Sequence, residues 1–209
     1  MARRWHLLTA LVAVLALGLQ LVLVVSGHAT LVEEDPPRLA VRLGRLISYF
    51  TIQSNVLVAV AAVSLARDPA RDGAGWRVLR VAGLVGITVT GLVHFFLLRP
   101  LLDLHGWSLV CDRMLHMVVP LLAVVGWLAF GPRPRITLRA MAWALLWPVA
   151  WLVWTLAIGL ATGWFPYPFL DVDAKGWGSV LATCGGVTAL VVALFAGAAA
   201  LDRRLPSRP

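Results

Sequence analysis

Lysine is almost missing from this chain: of 18 cationic side chains, only Lys175 is not arginine. Charge of either sign is scarce. Asp and Glu number 10, and charged residues make up 13% of the sequence, against roughly 25% in an average soluble domain. That shortage excludes an ordinary soluble protein, as does a mean hydropathy of +0.86. Cysteine is limited to Cys111 and Cys184, both in or beside apolar runs. They form no spaced pair of the kind that binds zinc or cycles disulfides, so they read as small buried filler. Internal repeats, low-complexity tracts and a separate soluble domain are also absent from the sequence. The net charge of +8 does not indicate nucleic-acid binding, because the arginines sit in short loops and at the chain ends.

What remains is hydrophobic length. Runs near 6–27, 46–66, 78–98, 108–130, 140–162 and 178–201 each approach the ~20 residues that cross a bilayer core. The expectation is an all-α polytopic membrane protein: a single domain, 1–209, of six transmembrane helices. The first run follows Arg3-Arg4 and precedes Gly27-His28-Ala29, as in a secretory signal. Its apolar core of roughly 19 residues exceeds a signal h-region and is long enough to stay as a helix. Glu33-Glu34-Asp35-Pro36-Pro37 then reads as a helix start, with Asp35 as N-cap and proline in the first turn. Arg38, Arg42 and Arg45 form a stripe suited to lipid headgroups.

Cations decide orientation. The N-terminus, the 67–80 and 131–139 loops and the C-terminus hold 12 of them; the opposite side holds Arg38, Arg42, Arg45, Arg99, Arg113 and Lys175. Both termini are therefore expected in the cytoplasm. The preference for arginine over lysine hints at a GC-rich bacterial genome, and hence at a bacterial inner membrane.

Span two carries the unusual chemistry. Ser48, Tyr49, Thr51, Gln53, Ser54 and Asn55 crowd into its first half. At about 100° per residue Ser48, Thr51, Ser54 and Asn55 share a face, while Gln53 points elsewhere. Polar groups in hydrocarbon need partners, so that face should look into the bundle. In span four, Asp112, His116 and Pro120 are four apart; Pro120 cannot donate to the His116 carbonyl. Counting about 1.5 Å per residue, Thr51 lies roughly 8 Å inside the outer boundary, His116 roughly 12 Å and His94 roughly 8 Å. Thr155 and Thr183 fall in the same half, and the inner half is nearly bare of such groups. Several helices thus place polar side chains at one depth, as a cavity would require.

The chemistry such a cavity suggests is nucleophilic. Thr51 is the candidate nucleophile, His116 the base that takes its proton, and Asp112 the group that fixes the imidazole tautomer. Asn55 or Arg113 is placed to meet an oxyanion; His94 and Ser54 line the cavity. A membrane lipid or lipid-like ester is the expected substrate, with no cofactor and no nucleic acid. Each residue also has a plainer role: threonine, serine and asparagine bond helix backbones in membranes, and Asp112 and Arg113 can form a boundary ion pair. Two other readings stand beside the hydrolase. One is a metal-dependent hydrolase using His94, His116, Asp112 and His105. The other is a non-catalytic lipid-binding, transport or assembly protein. The loop Gly163-Trp-Phe-Pro-Tyr-Pro-Phe-Leu-Asp171 suits a headgroup belt, or a stiff cap over an outward-opening cavity.

Tyr49-Phe-Thr51 with Asn55, and Leu115-His116 with Pro120, resemble the threonine and histidine segments of the androgen-induced and androgen-dependent TFPI-regulating membrane proteins. That family hydrolyses fatty acid esters of hydroxy fatty acids with an intramembrane threonine and histidine, roles the resemblance places on Thr51 and His116. Asp112 and Arg113 stand where a neutral polar pattern is expected in the animal proteins. With Gln53-Ser54-Asn55 and Trp164-Phe-Pro-Tyr-Pro-Phe-Leu-Asp171, the chain also looks like bacterial proteins known as six-span membrane proteins.

Overall fold

The computed structural model describes residues 1–27 and 37–206. Six helices are long and apolar enough to span a bilayer: Ala2–Val25, Phe50–Arg67, Ala74–Leu101, Gly106–Phe130, Leu138–Thr162 and Val172–Arg204. No strand occurs among the described residues. The protein is a multi-pass, all-α integral membrane protein. The first run stays a helix, Ala2–Val25, while His28-Ala29 and the Asp35 cap lie outside the described residues. Pro37 and Arg38 are not helical, and a short helix starts at Leu39.

Helices are labelled in chain order: α1 (Ala2–Val25), α2 (Leu39–Ser48), α3 (Phe50–Arg67), α4 (Ala74–Val93), α5 (Gly106–Arg113), α6 (Val119–Phe130), α7 (Leu138–Thr162) and α8 (Val172–Arg204). The third span is the hub: 61% of its most apolar stretch is buried, against 17% for α7 and 22% for α8. It packs against α3, α6, α7 and α8, while α1 lies on α3 and α6. α7 and α8 both lean on α4 and scarcely on one another, which leaves a seam between them. Close approach to α7 is set by Gly86, where a Cβ would fall 2.6 Å from the Trp147 ring.

Two departures from regular helix shape the site. Span two is not continuous from residue 46: Tyr49 is extended (φ −69°, ψ 127°), ending α2 and capping α3. Thr51 therefore occupies the first turn of α3 rather than the middle of a helix. Spans three and four each contain a π-helical turn, His94–Leu98 and Met114–Val118. In the second of these Val119 N–H bonds the Met114 carbonyl five residues back. The Leu115 carbonyl is thereby released, and Pro120 has no N–H to offer it.

The opposite end is closed by charges from the 67–80 and 131–139 loops and both chain ends. Asp72 meets Arg77 and Arg135, each at 2.6 Å. Arg77 beside it holds the Asp72 carboxyl below the usual carboxylate range. Asp202 accepts from the Arg135 and Ile136 amides at 2.6 and 2.7 Å, and Arg80 donates to the Gly131 and Pro132 carbonyls. Arg3 donates to the Ala66 and Arg67 carbonyls at 2.7 and 2.6 Å.

Candidate active site

At the other end, side chains from four segments converge. Thr51 Oγ1 lies 3.2 Å from His116 Nε2. His116 Nδ1 bonds the Asp112 carbonyl at 3.0 Å and lies 2.9 Å from Asp112 Oδ1. Both neighbours of Nδ1 are acceptors, so Nδ1 carries the ring proton and Nε2 is left to accept from the Thr51 hydroxyl. Hydroxyl, imidazole and carboxylate are thus in line, with the base on one helix and the nucleophile on another. His94 stacks on His116, centroids 4.0 Å apart and planes within 13°. Its Nε2 is 3.0 Å from the same Asp112 oxygen, off the direction a hydrogen bond requires.

The fourth segment is the 163–171 loop. Tyr167, buried, places its hydroxyl 3.3 Å from the Thr51 amide nitrogen and 3.3 Å from Thr51 Oγ1. Because Thr51 starts α3, its N–H has no helical carbonyl to bond, and the phenol oxygen accepts it. Burial pushes the Tyr167 hydroxyl up to about 12, so it is neutral and a proton donor at any physiological pH. The ring is held between neighbours, stacked on Phe169 at 5.3 Å and edge-on to Tyr49 at 5.8 Å.

Asn55 and Arg113 are not where an oxyanion would need them. Asn55 is fully buried, and its Nδ2 donates to the Thr51 carbonyl at 2.8 Å and to the freed Leu115 carbonyl at 3.2 Å. It pins α3 to the π-helical turn that carries His116. Arg113, one residue round from Asp112, is exposed, while Asp112 turns to the two histidines instead of forming a boundary pair with it. Ser54 borders neither of the cavities that reach Thr51; its hydroxyl donates to the Thr51 carbonyl at 3.0 Å and bonds Thr90 at 2.8 Å between α3 and α4. Gln53, on the other face, accepts from Trp147 at 2.7 Å. His105 is remote from this group, 83% exposed beside Asp103. Thr155 is buried, its hydroxyl without a partner. Cys111 and Cys184 are both free thiols.

Two cavities meet at Thr51. The larger, about 140 Å³, runs between α4, α7 and α8 and is lined by apolar residues with a few hydroxyls and the Cys184 thiol. The smaller, about 70 Å³, holds His94, Asp112, His116, Gln20 and Ser108 among leucines. Thr51, Leu98 and Tyr167 border both. Tyr167 is the residue that sequence reasoning did not single out; the only signal was the stiff Pro166–Pro168 loop around it. No family model, curated protein or solved structure matches this chain.

Proposed function

We propose that the protein is an intramembrane threonine hydrolase of lipid esters, with Thr51 as nucleophile, His116 as base and Asp112 as its orienting partner. The observation that carries this reading is the 3.2 Å contact between Thr51 Oγ1 and a His116 Nε2 that is free to accept. The resemblance of the Tyr49–Asn55 and Leu115–Pro120 segments to the animal ester hydrolases agrees with it.

The chemistry follows from the contacts. Thr51 Oγ1 attacks the ester carbonyl carbon as His116 Nε2 takes its proton, and charge builds on the carbonyl oxygen. Tyr167 O–H, already beside Oγ1, turns to that oxygen, a role donors of this kind fill in acyl transfer. Asp112 stabilises the imidazolium. The ester C–O bond then breaks, and His116 returns the proton to the departing alcohol. Water, deprotonated by His116, attacks the acyl-Thr51 ester in the second half; the acid leaves and Thr51 recovers its hydrogen. The site takes ester from a bacterial inner membrane in which both termini are cytoplasmic, as the arginine count favours.

Labelling by an alkyl fluorophosphonate tests this. Thr51 is the expected modified residue, with labelling lost in both Thr51→Ala and His116→Ala. Equal labelling of both variants and the wild type overturns the assignment. No labelling, with a Thr51→Val variant much less stable than the wild type, favours a non-catalytic membrane protein.

A second reading has one observation behind it: His94, Asp112 and His116 offer ligand atoms within 4.8 Å of one another. Three protein ligands and an open position suit a catalytic zinc ion, although bonds of about 2.0–2.1 Å require the three atoms to draw together to about 3.4 Å. Stoichiometric metal in the purified protein, with activity lost to a chelator and restored by zinc, selects this reading over the first.

A further inference from the structure

The two cavities differ in kind, and the difference assigns the two halves of a substrate. Neither imidazole nor carboxylate reaches the larger one. Phe50, Val93, Leu145, Leu152, Val187 and Val191 dominate its wall. Its hydroxyls are largely spent, Thr90 on Ser54 and Thr183 on the Ser179 carbonyl at 3.0 Å. A polar headgroup placed there would lose its water and gain few partners. The smaller cavity is the reverse, with two imidazoles, a carboxylate, an amide and a serine hydroxyl on its wall.

The larger cavity also has a way in. Val149 on α7 and Thr188 on α8 both belong to its lining and are exposed, and the two helices that carry them scarcely pack on one another. Lipid tails lie outside that seam. The same cavity reaches Thr51 and Tyr167, which also border the smaller one.

We propose that the larger cavity is an acyl-binding arm, filled sideways from the bilayer through the α7–α8 seam, and that the smaller cavity receives the alcohol. This rests on the hydrolase reading of Thr51 and deepens it. The substrate class is an O-acyl lipid with a straight hydrocarbon chain on the carbonyl side and a polar alcohol on the other. The polarity of the reaction fits: His116 borders only the smaller cavity, so the alcohol departs on the side where the proton is returned. A volume near 140 Å³ matches a cavity of about 150 Å³ that holds benzene. It therefore grips only the carbons nearest the carbonyl, and the rest of a long chain trails into the bilayer.

Chain length and Cys184 together test this in the full-length protein. A series of alkyl fluorophosphonates places the alkyl group where the acyl chain would lie as Thr51 Oγ bonds phosphorus and fluoride leaves. The wild type should label faster with each added carbon up to the seam. Val187→Trp, which fills the arm, should reduce the ratio of decyl to ethyl labelling rates by about ten-fold or more, since each buried methylene contributes separately. Val192→Trp, on the exposed face of the same helix, should leave that ratio unchanged. The second measurement needs no chemistry at Thr51. In a Cys111→Ala background, a non-hydrolysable hexadecyl ether lipid should slow alkylation of Cys184 by N-ethylmaleimide, and Val187→Trp should abolish the protection. Protection without any labelling at Thr51 supports the arm and overturns Thr51 as the nucleophile. Labelling at Thr51 that ignores chain length, with no protection of Cys184, overturns the arm and leaves hydrolysis standing.

Discussion

Replacing Tyr167 by phenylalanine removes one oxygen and leaves the ring. The stack on Phe169 and the edge contact with Tyr49 remain, so the loop should hold its place. Two effects of different size follow. The Thr51 amide loses its acceptor at 3.3 Å, and an unpaired buried N–H costs about 1–3 kcal/mol of stability. Catalysis should lose more: removal of one oxyanion donor typically lowers kcat by about 10²–10³, or about 2.7–4 kcal/mol of barrier. Ester turnover in detergent micelles, beside thermal unfolding of the same preparation, separates the two. The pH axis sharpens the assay. With its folded value raised to about 12 from an ordinary 10.0, the phenol favours the folded state in its neutral form. That contribution is fully present below about pH 10 and is lost between about 10 and 12. No alkaline fall in activity below about pH 10 should therefore originate at Tyr167. If Tyr167→Phe turns over ester within about three-fold of the wild type, a loss below about 0.7 kcal/mol, Tyr167 is not the oxyanion donor.

Two further outcomes are expected. Asp112→Asn keeps the shape of the site but lets the His116 ring adopt the wrong tautomer, so turnover should drop on the ~10⁴ scale of the equivalent change in serine triads; a drop under ten-fold, measured on the same esters, would show that the backbone carbonyl at Nδ1 suffices. Gly91→Ala places a methyl 3.2 Å from the His116 carbonyl and 3.4 Å from Pro120. Overpacking of this kind costs about 1–3 kcal/mol, and fluorophosphonate labelling of Thr51 should slow as α4 and the His116 turn part; wild-type labelling and melting would mean that the contact yields freely.

Much of the architecture was legible because lipid imposes simple requirements. Six runs of sufficient length become six spans, and a cluster such as Thr51, Ser54 and Asn55 has to turn inward. The i, i+4 spacing of Asp112 and His116 survives in the structure, and the same spacing rule leaves Arg113 on the exposed side. The break at Tyr49 was not legible: Tyr-Phe contains neither proline nor glycine, and the break depends on tertiary contacts such as the packing of Tyr49 on Trp164 and Tyr167. Pro120 pointed to a loosened carbonyl at His116, but not to the π-helical turn that releases the Leu115 carbonyl and gives Asn55 its partner. Tyr167 lies 116 residues from Thr51, and no local pattern announces a contact across that distance.

Each π-helical turn amounts to one residue more than a regular helix needs. A chain shortened by one position within 95–98, and by another within 117–118, could still cross the bilayer and still close its charged end. It would gain straighter spans and better-satisfied backbones, while everything beyond each deletion rotated by about a quarter turn or more. The imidazoles would then no longer lie face to face. This bundle is held short of its most regular form at the two places where His94 and His116 stand.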